Sequence, residues 1–290
     1  MKKLLVLLLA TTLSVSTANA GITGAGASFP APLYNKWAAD YNKKTGSQLN
    51  YQAIGSGGGI AQIDAKTVDF GATDDPRKAD DLASHKQVQF ETVKGGVVAI
   101  VNLNGVAVNQ INLSAKQLVD IFEGKYKKWN EVDSKLPATP IVRVVRSDAS
   151  GTTAIFTNYL AKNGSSIKPS KSLELDGDVV SGKGNAGVAG MVQQIRGSIG
   201  YVEYAYAKQS KLITTKLNGV EPNFNTFSSG KYELTAATYI IFYKEGAKKE
   251  AVDFWLWALS NGDQSAKDLD YVPLNDKEKA ESVKILKSLK

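Results

Sequence analysis

Strand-like and helix-like stretches alternate along almost the whole chain, and no other feature narrows the fold as much. Such alternation predicts an α/β plan. Residues 49–54, 97–103, 141–145 and 238–243 read as strands, with 97–103 buried. Between them, apolar residues recur at helical spacing. Leu33, Tyr34, Trp37, Ala38 and Tyr41 share one face of a helix that stops near Gly46. Residues 57–66 form a second, with Ile60 and Ile63 inward. Residues 114–122 carry a Ser114/Gln117 capping box and stop at Gly124. Ile155, Phe156, Tyr159 and Leu160 line a helix over 152–160, and Val188, Met191, Val192 and Ile195 line another stripe. A helix over 251–259 uses Trp255 and Trp257 for core packing, and Asn275 with Glu278 caps a last helix ending in lysines. There is no repeat and no low-complexity tract.

Composition removes whole classes of chemistry. With no Cys among 290 residues there is no disulfide framework, thiolate zinc site, iron–sulfur cluster or cysteine nucleophile. A single His weighs against a metal centre or a Ser-His-Asp triad. The length suffices for one large or two modest domains.

Residues 1–20 read as a cleaved secretory leader. Lys2 and Lys3 precede an apolar run over 4–15, and Ala18-Asn19-Ala20 is a small-x-small cleavage site, with Gly21 as the mature N-terminus. The run is about 12 residues, short of the roughly 20 needed to span a bilayer. A lipoprotein anchor needs a Cys, so an exported, unanchored, periplasmic protein is expected. Cleavage would lower the formal charge from +7 to +5 by removing Lys2 and Lys3. That balance favours anions without naming one. The densest basic stretch, 124–129, reads as a solvated turn rather than a nucleic-acid patch.

The informative motif occurs three times. Gly24-Ala-Gly-Ala-Ser28-Phe29-Pro30, Gly55-Ser56-Gly-Gly-Gly59 and Arg146-Ser-Asp148-Ala-Ser150-Gly151-Thr152 each lead into a helix with a hydroxyl at its start. Helix N-termini carry unpaired N–H donors and partial positive charge. Small residues let an anion reach that backbone. One such turn is an ordinary N-cap; three converging would cage a tetrahedral oxyanion. Arg146 adds a fork suited to two oxygens, with Asp148 placed to hold it. Asp74, at the end of 68–74, makes sense beside an anion if the anion carries a proton. Phosphate does near neutral pH and sulfate does not, so the carboxylate would discriminate by repulsion. Asp69 and Asp75 read as structural or surface acids.

The chain resembles the periplasmic phosphate-binding proteins of the phosphate-specific ABC transport system. The resemblance lies in Thr23-Gly-Ala-Gly-Ala-Ser-Phe-Pro-Ala-Pro-Leu-Tyr34, Gly55-Ser-Gly-Gly-Gly59, Val68-Asp-Phe-Gly-Ala-Thr-Asp74, Val145-Arg-Ser-Asp-Ala-Ser-Gly-Thr152 and residues 184–207 with Gly200-Tyr-Val-Glu-Tyr-Ala-Tyr206. It implies a type II-like periplasmic binding fold of two α/β lobes. One lobe would comprise 21–92 plus 239–290, the other 93–238, with hinge crossovers near 92–95 and 234–238. It implies phosphate held by Ser28, the Phe29 N–H, Ser56, Asp74, Arg146, Ser150, the Gly151 N–H and Thr152. Asp74 would accept the ligand proton and Asp148 would support Arg146. It further implies no catalysis, no cofactor, no metal, a monomer, and an inner-membrane ABC permease as partner. Position 28 is Ser where the family also has Thr, and position 57 is Gly where a second Ser can follow Ser56. Shorter stretches before Gly184 and Thr235 suggest trimmed loops on the second lobe.

Three other readings bear on the same residues. Gly182-Lys-Gly-Asn-Ala-Gly187 matches G-x-G-x-x-G with Glu203 downstream, but no convincing strand precedes it, because 173–180 is broken by acids and glycine. A phosphohydrolase on the same cage lacks a nucleophile-and-base pair, and His85 lies in a polar stretch. A receptor for another tetrahedral oxyanion is separated by Asp74.

Overall fold

The computed structural model describes residues 21–290, so the leader assigned to 1–20 lies outside the described residues. The first segment comprises β1 (Ile22–Gly26), α1 (Ala31–Thr45), β2 (Leu49–Gln52), α2 (Ser56–Asp64), β3 (Phe70–Thr73), α3 (Ala79–Ser84) and the long β4 (Gln87–Val101). Then come β5 (Asn112–Leu113), α4 (Ala115–Phe122), α5 (Trp129–Val132), β6 (Val142–Arg146), α6 (Gly151–Lys162), β7 (Val179–Gly182), α7 (Gly184–Gln194), β8 (Ser198–Glu203), α8 (Tyr204–Gln209), β9 (Ile213–Thr214), β10 (Lys216–Leu217) and α9 (Phe224–Ser228). The last segment is β11 (Thr235–Tyr243), α10 (Lys249–Asn261), α11 (Asp263–Asp268), β12 (Val272–Pro273) and α12 (Asp276–Lys287).

The α/β fold is two-lobed, and one strand runs through both halves of its sheet. The strand order is β2-β1-β3-β11-β4-β8-β6-β7, with β12 and β9 also on β4. Up to Gly96, β4 pairs with β11 and β12; from Val97 to Val101 it pairs with β8 and β9. β1, β2 and β3 are mutually parallel, as are β6, β7 and β8. Each parallel set delivers its carboxyl ends, and the helix starts that follow, to the crevice beside β4, where open α/β sheets take their ligands.

Each half has its own aromatic core. Trp255 of α10 is fully buried and meets Tyr34, Phe70 and Phe254 at centroid distances of 4.9, 5.1 and 5.0 Å. In the other half Phe156 stacks on Tyr201 at 4.2 Å with Phe122 edge-on at 4.6 Å. The predicted capping boxes form at Ser114/Gln117 and Asn275/Glu278. Gly46 takes the left-handed C-cap that ends α1.

Three sequence expectations are corrected. β4 begins at Gln87 rather than 97, because pairing with β11 extends it through residues whose polar positions hide the pattern. A strand does precede the glycine motif at 182–187: β7 is held by parallel pairing with β6 from Arg143/Val179 to Arg146/Gly182 despite its polar flanks. Met191 points outward at 37% exposure, since α7 buries Val188, Ala189 and Val192 instead.

Candidate functional site

The three serine-bearing turns sit at the carboxyl ends of β1, β2 and β6, and they meet. Ser56 Oγ, fully buried at the first turn of α2, accepts the Gly151 N–H at 3.1 Å and the Asp74 N–H at 3.2 Å. One hydroxyl thus ties together the starts of α2 and α6 and the end of β3. Ser28 Oγ accepts from the Asn185 backbone N–H at 3.1 Å and from Asn185 Nδ2 at 2.9 Å. Asn185 Nδ2 also reaches Thr152 Oγ1 at 3.3 Å. Ser150 caps α6 by accepting the Thr153 N–H at 3.1 Å.

These contacts leave a donor surplus. Ser28, Ser56, Ser150 and Thr152 are buried, each oxygen accepts an N–H, and none of their protons finds an acceptor among the described residues. Arg146 Nη1 is likewise buried without a partner among the described residues. Buried polar groups in folded proteins are nearly always satisfied, so such a cluster points to an acceptor-rich ligand.

Arg146 is held ready for one. Its side chain is 1% exposed, and its Nε donates to Asp148 Oδ1 at 2.8 Å while Nη2 donates to Asp148 Oδ2. Asp148 Oδ1 also accepts the Gly184 N–H at 2.9 Å. Burial works against the Asp148 charge, yet the Arg146 hydrogen bond and charge hold the carboxyl below its usual range. The fork is therefore clamped on one side and open at Nη1.

Asp74 is the acid among these donors. It is 4% exposed, and Oδ1 accepts from Thr238 Oγ1 at 2.8 Å. Burial pushes its carboxyl up to about 7, against the pull of Thr238 and Arg146 and with a push from Asp75. A carboxyl poised there exchanges a proton near neutral pH. Replacing Thr238 with valine removes one stabiliser of the charged form. We expect the Asp74 transition to move to higher pH in a carboxyl NMR titration, with the fold retained.

All eight predicted contact residues, with Asp148, come together. Phe29 is fully buried behind Ser28, its carbonyl accepting from Tyr271 Oη at 2.7 Å. Asp69 accepts the Thr23 N–H at 2.7 Å and Asp75 pairs with Lys171 at 3.1 Å; neither belongs to the cluster. His85 lies apart, beside Arg77 and Asp81. Among the described residues no group of His, Cys, Asp or Glu is placed to hold a metal ion. A cleft of about 490 Å³ opens beside Asp74, between α6 and residues 233–235.

Sequence reasoning missed Asn185, Thr238 and Tyr206. The signal for Asn185 was present: the glycine motif does open a helix, but the Gly184 and Asn185 N–H groups go to Asp148 and Ser28. Glu203, the acid that a dinucleotide reading requires at a ribose, is buried against Tyr271 and Ala205. Gly57 also gains a reason. A Cβ there would lie 2.5 Å from the Ala149 Cβ, so this packing of α2 on the third turn excludes a second serine. A Cβ on Gly151 would meet Ser56 Oγ at 2.6 Å and Asp74 Oδ2 at 2.8 Å. Gly151→Ala should therefore weaken ligand binding about tenfold by wedging α6 off α2, measured by calorimetry on a variant with an unchanged circular dichroism spectrum.

Fold and site together define a two-lobed solute-binding domain, and the PBP superfamily domain matches residues 12–261. The phosphate-binding protein PstS of Haemophilus influenzae is 44% identical, covering 91% of this chain and 91% of its own. PstS of Pasteurella multocida is 42% identical over 94% of this chain and 92% of its own. A phosphate-binding protein from Stenotrophomonas maltophilia shares the fold with a TM-score of 0.72 at 19% identity, covering 91% of this chain and 93% of that one. The chain belongs to the PBP superfamily and, within it, to the family of the PstS phosphate-binding proteins.

Proposed function

We propose that the chain is an exported, non-catalytic receptor that closes on inorganic phosphate in the periplasm and hands it to an ABC permease. The buried donor surplus carries this reading. Among the described residues four hydroxyl protons and Arg146 Nη1 lack acceptors, and one carboxyl that exchanges its proton near neutrality stands among them. Hydrogen phosphate supplies acceptors for the donors and a proton for Asp74. Ser28, the Phe29 N–H, Ser56, Arg146, Ser150, the Gly151 N–H and Thr152 donate, while Asp148 steadies the fork. Charge-assisted bonds contribute about 1.5–3 kcal/mol each before desolvation and closure. Several of them suffice for micromolar affinity, about −8 kcal/mol.

The lobes in this proposal are 21–92 plus 239–290 and 93–238, hinged at 92–95 and 234–238. The switch of β4 partners after Gly96 supports that division. Hinge closure would report occupancy to the permease, and a monomer is enough for the task. The leader over 1–20 would direct export.

Calorimetry of ligand-stripped protein with phosphate, arsenate and sulfate in turn tests the reading. Arsenate also carries a proton near neutral pH, so phosphate and arsenate should both bind and sulfate should not. Tight sulfate binding at pH 8 would overturn it in favour of a general oxyanion receptor, and steady phosphoester turnover would overturn the non-catalytic part.

A further inference from the structure

Tyr271 Oη lies 2.7 Å from the Phe29 carbonyl oxygen and 2.8 Å from Glu203 Oε2, with all three residues buried. A phenol has one proton to donate. The carbonyl can only accept, so that proton belongs to Phe29, and the proton of the second bond must come from Glu203. Glu203 Oε2 also accepts the Ala205 N–H at 2.8 Å. A carboxylic acid O–H accepts from Ala205 and donates to Tyr271 at once. A carboxylate oxygen has nothing to donate.

We propose that Glu203 is held as a neutral carboxylic acid and serves as a positioning residue for the binding site: it orients the Tyr271 hydroxyl onto Phe29 and thereby fixes the Ser28–Phe29 segment that faces the ligand. The geometry of that segment gives the link its purpose. Tyr206 Oη donates to the Ser28 carbonyl at 2.6 Å. In a trans peptide the Phe29 N–H points opposite to that carbonyl, away from Tyr206. With Tyr271 on the next carbonyl, two consecutive peptides are fixed in orientation. Asn185, whose Oδ1 accepts the Glu203 N–H at 2.8 Å, holds Ser28 Oγ in the same cluster.

The surroundings agree with a neutral acid. Burial drives the Glu203 carboxyl far above its ordinary range, Asp270 and Asp74 push the same way, and the Ala205 N–H pulls less strongly against them. Tyr204 and Tyr206, the other titratable neighbours, are themselves pushed up by burial. The link also joins the sheet halves. Glu203 ends β8 opposite Val97 of β4, whereas Tyr271 precedes β12, whose Val272 pairs with Lys94.

The test combines infrared difference spectroscopy with phosphate calorimetry on the full mature chain; only the second rests on the phosphate reading. Wild type minus Glu203→Gln at neutral pH should show one protonated-carboxyl C=O band lost, and Tyr271→Phe should shift that band. Tyr271→Phe keeps the ring edge-on to Phe29 and should weaken phosphate binding roughly tenfold, mainly through faster release, with the phosphate-to-sulfate ratio unchanged. A merely structural loss would lower the melting temperature without moving the band. No band lost in Glu203→Gln, or a band indifferent to Tyr271→Phe, overturns the proposal. If Glu203→Gln does not fold, the Tyr271→Phe spectrum against wild type decides alone. Failure of wild-type protein to bind phosphate would sink the phosphate reading while the infrared bands still decide the state of Glu203.

Discussion

Arg146→Ala should weaken phosphate binding by a factor of roughly 30 to several thousand. The range follows from the cost, about 2–5 kcal/mol, of truncating one partner in a buried, hydrogen-bonded charge pair. In the proposed site the truncation removes more than a ligand contact. Asp148, bound through both carboxylate oxygens to Arg146, would be left with the Gly184 N–H and no counter-charge. An unpaired, half-buried carboxylate is costly, so the variant should also melt at a lower temperature without ligand. Arg146→Lys separates charge from shape. It keeps the positive charge but cannot clamp Asp148 through two nitrogens while aiming a third at the ligand, so its affinity should fall between alanine and wild type. Calorimetry on the three proteins checks the order. An alanine variant within threefold of wild type would remove Arg146 from the site.

What could be read from the sequence was local or inherited. The caps at Ser114 and Asn275, the stop at Gly46 and the helix start at Ser150 depend on residues three or four apart, and all form as expected. The serine turns were legible as helix starts. Their convergence was not, because periodicity carries no information on which strand ends share a crevice; the family resemblance supplied that step. The missed residues share one trait: they act over long separations. Thr238 reaches Asp74 across 164 positions and Asn185 reaches Ser28 across 157. Thr238 stands in no pattern that chemistry marks, and the glycine motif around Asn185 marks a helix start without naming its partner. β7 escaped for a related reason, as its stability comes from pairing with β6 and not from its own residues. Tertiary pairing overrides propensity most readily at such short strands.

The same long-range bonds fix what an amide would do in place of Asp74, and that substitution should have the largest effect on specificity. Thr238 Oγ1 donates to Oδ1. In Asp74→Asn the amide oxygen keeps that bond, which turns the NH₂ group toward the ligand. A site that offered a proton acceptor would then offer a donor, and a fully deprotonated oxyanion would meet attraction where it had met repulsion. Relief of a buried like-charge contact is worth several kcal/mol. Sulfate binding at pH 8 should therefore strengthen by about 100-fold or more, with phosphate affinity moving far less. The pH dependence gives an independent sign. In wild type, sulfate fits only the protonated acid, so its affinity should rise as pH falls toward 7 and level off below, because burial pushes the empty-site carboxyl up to about 7. In the asparagine variant that slope should vanish. Stability of the ligand-free protein runs the same way. An unfolded chain ionises this group near 3.8 while the folded chain holds its proton to about 7, so stability is lost as pH rises through that window and the loss is complete above it. The amide escapes that loss, and above pH 7 the ligand-free variant should melt higher than wild type. An unchanged phosphate-to-sulfate ratio would refute proton acceptance by Asp74.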